Sequence, residues 1–467
     1  MSAILFLAAF ILGTIPILFA AVQPWVWSVY TMCIFAAFLI LLWQSRSNRI
    51  SVPSWIFILS IGTFFVITLF QHLPLPPNIL SFLSPFRFRV LNESWAIIDK
   101  PLSWQPLSYS PLNSMAWWTF LLSLVMFFIV FRKCCASRRT LKFFIWIMLG
   151  VATIEALYGL IQALIPTLGA LWVDYYQSAL GNARGTYINR NHFAGFMELV
   201  WPIGLGFALA QGRWQKEMRF KDFLDSDRPY QQFLLSLTVM IMLLALLFSR
   251  SRAGILGAFI GFMTFVLLMR TGSRRLPARL WVIIGAIVVL ITYFSSKIGV
   301  DPIIGRFLMT SEEIPRLDRW HDSLVILKDH PLGIGLGAFK LVYPVYKVST
   351  ISDTVARYAH NDYLQLVVEA GWVGFLALVG GFAFFMMKSI RKVRKLQIHD
   401  DPLRFFLAVG ALSGLVSMAF HSFFDFNLHM PANCVYFVTL IAIVHICLFE
   451  KKNRHRPTQT HTDLENK

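Results

Sequence analysis

Charge is what this chain has least of. Asp, Glu, Lys and Arg together make up 14% of its 467 residues, against about 25% in soluble globular domains. A soluble fold of this length cannot cover its surface with so few charges. Acidic side chains are the scarcer kind, 24 against 42 Lys and Arg. The only five cysteines, Cys33, Cys134, Cys135, Cys434 and Cys447, show no CxxC spacing. That argues against a disulfide framework or a cysteine metal site. No basic stretch precedes Ala3-Ile4-Leu5, and Gln23-Pro24-Trp25 leads straight into another apolar run, so a cleaved signal peptide is not expected.

What is present is apolar. The composition is 57% hydrophobic with 15% aromatics. Runs near 20 residues recur, each long enough to cross a hydrocarbon core of ~30 Å. The chain reads as an all-α, polytopic integral membrane protein with about twelve transmembrane helices. These are expected at 3–22, 27–44, 54–72, 115–131, 143–165, 192–210, 233–248, 253–270, 280–296, 371–390, 404–421 and 432–449. Residues 1–450 form a single membrane domain, 297–370 are its large extracytoplasmic loop, and 451–467 are a polar cytoplasmic tail. The net charge of +18 does not point to nucleic acid. Most Lys and Arg collect in alternate segments, 45–50, 132–142, 211–232, 270–279, 388–404 and the tail. That is the positive-inside pattern, and it puts both termini in the cytoplasm.

Three outside segments stand out. Residues 73–114 are Pro-rich, and are expected to be an irregular loop lying on the membrane. Residues 166–191 end in a dense polar motif. Residues 297–370 contain Ile314, Leu317, Trp320, Leu324 and Leu327 at helical spacing, which predicts an amphipathic helix ended by His330-Pro331.

Six clusters can carry chemistry. Gly181–His192 combines Arg184, Asn189, Arg190, Asn191 and His192. Its arginines stand outside against the positive-inside trend, and guanidinium and amide groups together bind oxyanions or sugar hydroxyls. The plainer alternative is a polar loop with Asn189 or Asn191 as an N-cap. Ser249-Arg250-Ser251-Arg252 is a tight outside turn that pins two guanidinium groups at the membrane surface. There they suit a lipid-linked phosphate or simply snorkel to headgroups. In Arg316–Asp322, Arg319 and Trp320 can hold phosphate or stack on sugar, or belong to a solvated helix face. His330–Gly337 is read as a tight turn between helices. Its three glycines lack the strand-turn-helix context of a nucleotide loop.

The fifth cluster, Arg357–Gly371, holds His360, Asn361, Asp362, Tyr363, Gln365 and Glu369. A neighbouring carboxylate can orient His360 as a base. The sixth, His421–His429, brings His421, Asp425 and Asn427 into one short turn, where an N-cap with interfacial aromatics is the alternative. Within the spans Glu198 can support the first cluster, while Glu155 has no evident partner. His321, His330 and His360 lack ligand spacing, so no metal is expected.

Taken together, four pieces resemble the O-antigen ligase/polymerase superfamily of bacterial membrane glycosyltransferases. They are Arg184–Ala194, Ser251–Gly254, His330–Gly337 and Ala359–Gly371. The resemblance covers roughly residues 180–430. It implies a glycosyltransferase-C-like, all-helical fold with a large periplasmic loop in the bacterial inner membrane. It also implies glycan transfer from undecaprenyl pyrophosphate to an acceptor sugar or lipid. On that basis Arg184 and Arg252, with Arg319 as a third candidate, are expected at the pyrophosphate and His360 as the base. Asn189, Asn191, Arg250, Asn361, Asp362, Tyr363, His421 and Asp425 are expected around the substrates. No cofactor or nucleotide is required. The partners are the undecaprenyl-pyrophosphate-linked glycan donor, an acceptor glycolipid or glycan, and the bilayer. A polymerase or a protein O-oligosaccharyltransferase would use the same donor. A transporter is the rival of another class, disfavoured because the polar clusters gather at one face rather than at the midplane.

Overall fold

A computed structural model describes residues 2–44, 55–165, 167–169, 171, 181–212, 222, 225–272, 285, 314–348 and 356–450. The described residues are all-helical, with fifteen α-helices. In chain order these are α1 (Ser2–Thr14), α2 (Pro24–Gln44), α3 (Trp55–Phe70), α4 (Pro77–Leu83), α5 (Pro85–Ala96), α6 (Pro111–Cys134), α7 (Arg138–Leu164) and α8 (Arg190–Ala210). They continue with α9 (Arg228–Phe248), α10 (Arg252–Gly272), α11 (Ile314–Asp329), α12 (Phe339–Tyr346), α13 (Asp362–Val393), α14 (Pro402–His421) and α15 (Pro431–Phe449). Nine of them are long and apolar enough to cross a membrane, and α1 and α3 are shorter apolar helices. The expected span 280–296 lies outside the described residues, apart from position 285.

Two expectations are corrected. The first span does not run to 22. Helix α1 stops at Thr14, Pro16 follows in a turn, and Phe19, Ala20 and Ala21 have left-handed backbone. Residues 73–114 are not an irregular loop. They contain α4 and α5, each with a proline in the first turn, where a missing N–H costs nothing. Arg87 ties this pair down. Its Nε donates to the Pro106 carbonyl (2.9 Å) and its Nη2 to that of Ser108 (3.0 Å), while its guanidinium lies 4.1 Å from the centre of the Tyr109 ring.

The core of the bundle is α8, buried along nearly its whole length and packed by α7, α9, α10, α14 and α15. Small residues make this possible. A Cβ on Gly206 would meet the Phe406 carbonyl oxygen at 2.3 Å, and one on Gly410 would meet that of Pro202 at 2.4 Å. Gly414, one turn beyond Gly410, lies under the Leu199 carbonyl. In lipid, helices gain little from hydrophobicity when they associate, so such close backbone packing carries the contact. Helices α8 and α14 therefore touch backbone to backbone, and their polar ends are held in fixed register.

The 330–337 turn is stitched into a break in α13. Gly371 has φ 72° and ψ 174°, which releases helix carbonyls upstream. Ile334 N donates to the Val368 carbonyl and Gly335 N to that of Glu369, both at 3.0 Å. Gln71 Nε2 of the α3 end donates to the carbonyls of Leu332 (2.7 Å) and Glu369 (3.0 Å). The Glu369 carboxylate then accepts from Gly337 N at 2.7 Å, just before α12. The glycine-rich piece is thus the joint between helices that its sequence predicts. Its His330 is buried among the hydroxyls of Ser84, Tyr109 and Tyr346. Burial holds that imidazole down at about 4, against the pull of Asp329.

Candidate active site

Four polar clusters meet at one end of α8, α9 and α14. The loop before α8 is fixed from two sides. On α7, Glu155 accepts from Thr186 N and Thr186 Oγ1, both at 2.8 Å. One further turn pair along, Gln162 Nε2 donates to the Gly185 carbonyl at 2.9 Å, and its Oε1 accepts from Arg184 N at 3.3 Å. Glu155 and Gln162 are seven residues apart and so share a helix face. The partner of Glu155 was not legible in the sequence. Only its position inside an apolar span marked it, and intramembrane carboxylates usually serve something.

The same loop is tied to the next arginine pair by Ala183 N, which donates to the Phe248 carbonyl at 2.9 Å. Phe248 ends α9, directly before the Ser249–Ser251 turn. Arg250 has left-handed backbone, φ 54°, and Arg252 opens α10. The Arg184 side chain is 2% exposed. Among the described residues, neither Arg184 Nε nor Arg250 Nε has a hydrogen-bond partner. Burial pushes both guanidinium groups below the ordinary arginine value. A buried cation with an unmet donor is the environment an anionic ligand would relieve.

The centre of the site is Asp425, in the turn between α14 and α15. Asn191 Nδ2 donates to its Oδ2 at 2.7 Å. His360 Nδ1 lies 3.2 Å from its Oδ1, and Phe426 N donates to Oδ1 at 2.9 Å. His192 Nε2 is 3.8 Å away, an ion-pair rather than a hydrogen-bond separation. Burial alone would raise this carboxyl, but the His192 and His360 imidazoles beside it hold it well below the usual carboxylate range. Asp425 is 1% exposed and His360 28%, so the imidazole is reachable and its carboxylate is not. With Nδ1–H turned to Asp425, His360 Nε2 is the nitrogen left to take a proton. Phe426 stacks on Tyr358 with centroids 4.2 Å apart and 14° between planes, and meets the His360 and His192 rings edge-on.

Other expected residues sit nearby in different roles. Asp362 does not orient His360. Its Oδ1 is 2.8 Å from His429 Nδ1, and its Oδ2 accepts from Leu428 N at 3.0 Å. Burial lowers the His429 imidazole, but the Asp362 hydrogen bond and charge raise it above its ordinary value. Asn361 caps α13, its Oδ1 accepting from Tyr363 N and Leu364 N. Asn189 caps α8 in the same way through Asn191 N. Tyr363 donates its hydroxyl to the Ala419 carbonyl at 2.7 Å. His421 does not line the cluster with Asp425. It is fully buried and pairs with Glu198 at 2.7 Å, while Ser417 Oγ donates to the other oxygen of Glu198 at 2.8 Å. Asn427 is likewise buried, against Asn433.

Arg319 is half-buried beside Tyr343. The link from α11 to the site is its neighbour Trp320, whose Nε1 donates to the Ala359 carbonyl at 3.2 Å. That bond fixes the peptide just ahead of His360, which has φ 53°. A non-glycine residue in the left-handed region costs about 1–2 kcal/mol, so His360 is held in place by its neighbours rather than by its own preference. Among the described residues no group of three or more His, Cys, Asp and Glu side chains is placed to hold a metal ion.

No curated protein matches the chain by sequence comparison. Residues 237–379 match the family model Wzy_C, described as O-antigen ligase. The matched stretch holds Arg250, Arg252, Arg319 and His360–Tyr363, and it leaves Arg184, Asn191, His421 and Asp425 outside. The match makes residues 237–379 similar to O-antigen ligases, within a chain whose described residues hold nine helices long and apolar enough to cross a membrane.

Proposed function

We propose that the protein transfers a glycan from undecaprenyl pyrophosphate to a hydroxyl of an acceptor glycolipid, a lipid A-core sugar, at the periplasmic face of the bacterial inner membrane. The observation that carries this reading is the reachable His360 imidazole against the buried Asp425 carboxylate, with Asn191 on the other carboxylate oxygen. His360 Nε2 takes the proton of the acceptor hydroxyl. The acceptor oxygen bonds to the anomeric carbon from the face opposite the diphosphate. The anomeric C–O bond to the diphosphate breaks with its electron pair, so configuration inverts and undecaprenyl pyrophosphate leaves.

Arg184, Arg250 and Arg252 meet the negative charge of that leaving group, which is where preorganised donors matter most. The unmet Nε donors of Arg184 and Arg250 support this assignment. Asp425 keeps Nδ1–H in place and stabilises the imidazolium that forms. The experiment uses the full chain in lipid nanodiscs with a lipid-linked donor, an acceptor glycolipid, and no added nucleotide. Transfer that is lost in His360→Ala, with folding intact, is expected. Wild-type rates in both His360→Ala and Arg252→Ala would overturn the reading.

A further inference from the structure

At the far end of the same helices lies a second polar centre. Helix α8 runs from Arg190 at the site to Ala210, α9 from Arg228 to Phe248, and α14 from Pro402 to His421. Each is about 30 Å long at 1.5 Å per residue. Their far ends, with the start of α7, line a half-open cavity of about 420 Å³ bordered by Arg138, Arg139, Lys142, Gln211, Arg228 and Asp401, among other residues. Three of these cations, Arg138, Arg139 and Lys142, come from the first turns of α7. Asp401 is paired with Arg138 and also caps α14 through Arg404 N. The N-terminal ends of α7, α9 and α14 converge on the same space, and each adds a partial positive charge.

Other cations at this end have tasks within the protein. Arg132 donates to Glu450, Arg404 to the Ile446 and Glu450 carbonyls, and Lys392 to the Leu448 carbonyl. Together they cap the end of α15. Arg139 and Lys142 are exposed. Among the described residues, neither enters an ion pair or hydrogen bond in the structure, although both line the cavity.

We infer that this cavity binds a phosphate group, and that an anionic phospholipid headgroup of the surrounding leaflet is its source. The volume suits a small polar ligand, and basic pockets between membrane helices take such headgroups. The site lies outside the proposed transfer chemistry, and its test does not read glycan transfer.

The full chain, delipidated in a zwitterionic detergent, is titrated with micelles containing phosphatidylglycerol or phosphatidylcholine, and separately with inorganic phosphate. Thermal unfolding and native mass spectrometry are the readouts. Phosphatidylglycerol is expected to stabilise and to remain bound where phosphatidylcholine does not. The double variant Arg139→Gln/Lys142→Gln should weaken that binding about thirtyfold. The control Arg394→Gln/Lys395→Gln, which removes equal charge from exposed positions elsewhere, should not. Stabilisation by inorganic phosphate that is lost in the same variant supports a phosphate site with a soluble source. Equal weakening by both double variants, or by neither, overturns the proposal.

Discussion

His360 Nδ1 and Asp425 Oδ1 stand 3.2 Å apart across 65 residues of chain, the first ahead of α13 and the second beyond α14. Replacing Asp425 by Asn keeps the shape and removes the charge. The amide can present its NH₂ to Nδ1 and favour the wrong tautomer. Transfer rate should fall about 10²–10⁴-fold, with donor KM nearly unchanged. Initial rates at saturating and sub-saturating donor separate the two effects.

Arg252→Lys keeps a positive charge but loses the fork that grips two phosphate oxygens at once. Arg184→Gln removes the charge from a 2% exposed position. If both face the diphosphate, each should reduce kcat by roughly 10²–10³. Steady-state transfer assays check this, together with a thermal melt to show that the variants are folded.

Glu155→Ala removes the acceptor for both Thr186 N and Thr186 Oγ1. A buried donor left unmet costs about 1–3 kcal/mol. The loop carrying Arg184 should loosen, with a lower unfolding temperature and a higher donor KM. Glu155→Gln retains one acceptor oxygen and should lie between Ala and the parent.

Asp362 raises His429 above its ordinary value, so this imidazole binds its proton more tightly folded than unfolded. Its contribution to stability is fully present below about pH 6.5, the unfolded value. It is lost as pH rises through the higher folded value. Melting temperature between pH 6 and 9 should therefore fall toward the alkaline side, and His429→Gln should flatten that slope. Asp425 behaves oppositely. Its depressed value means stability is lost as pH falls below about 4.

Gly371 sits at φ 72°, with the Leu332 backbone 2.5 Å from where a Cβ would stand. Gly371→Ala should shift the 330–337 turn off α13 and destabilise the protein by more than the ~1 kcal/mol of backbone strain alone. Trp117 and Trp118 pack near this joint, so tryptophan fluorescence should report the displacement alongside the melting temperature.

The spans were legible because apolar length is a local property, and the helices from α6 to α10 and α13 to α15 follow it closely. The 330–337 turn and the Asn189 cap were legible for the same reason, since glycine spacing and capping chemistry act within a few residues. The pairing of carboxylates with histidines was not. Asp362 is two residues from His360 yet serves His429, because the helix starting at 362 turns its side chain away. Asp425 reaches His360 only once α13 and α14 have packed. Helices α4 and α5 were hidden by prolines, which read as breakers although they occupy first turns where they are tolerated. Glu155 was visible as an anomaly, but its partner lies on a loop whose course the sequence alone does not give.

The backbone at His360 has one more implication. Folding by itself would choose glycine or asparagine at a left-handed position ahead of a helix. The chain holds an imidazole there instead and carries the conformational cost. His360→Gly is then expected to abolish transfer while melting no lower than His360→Ala, and His360→Asn to melt near the parent. A screen for heat resistance alone would therefore tolerate asparagine at this position, whereas a screen for transfer would not.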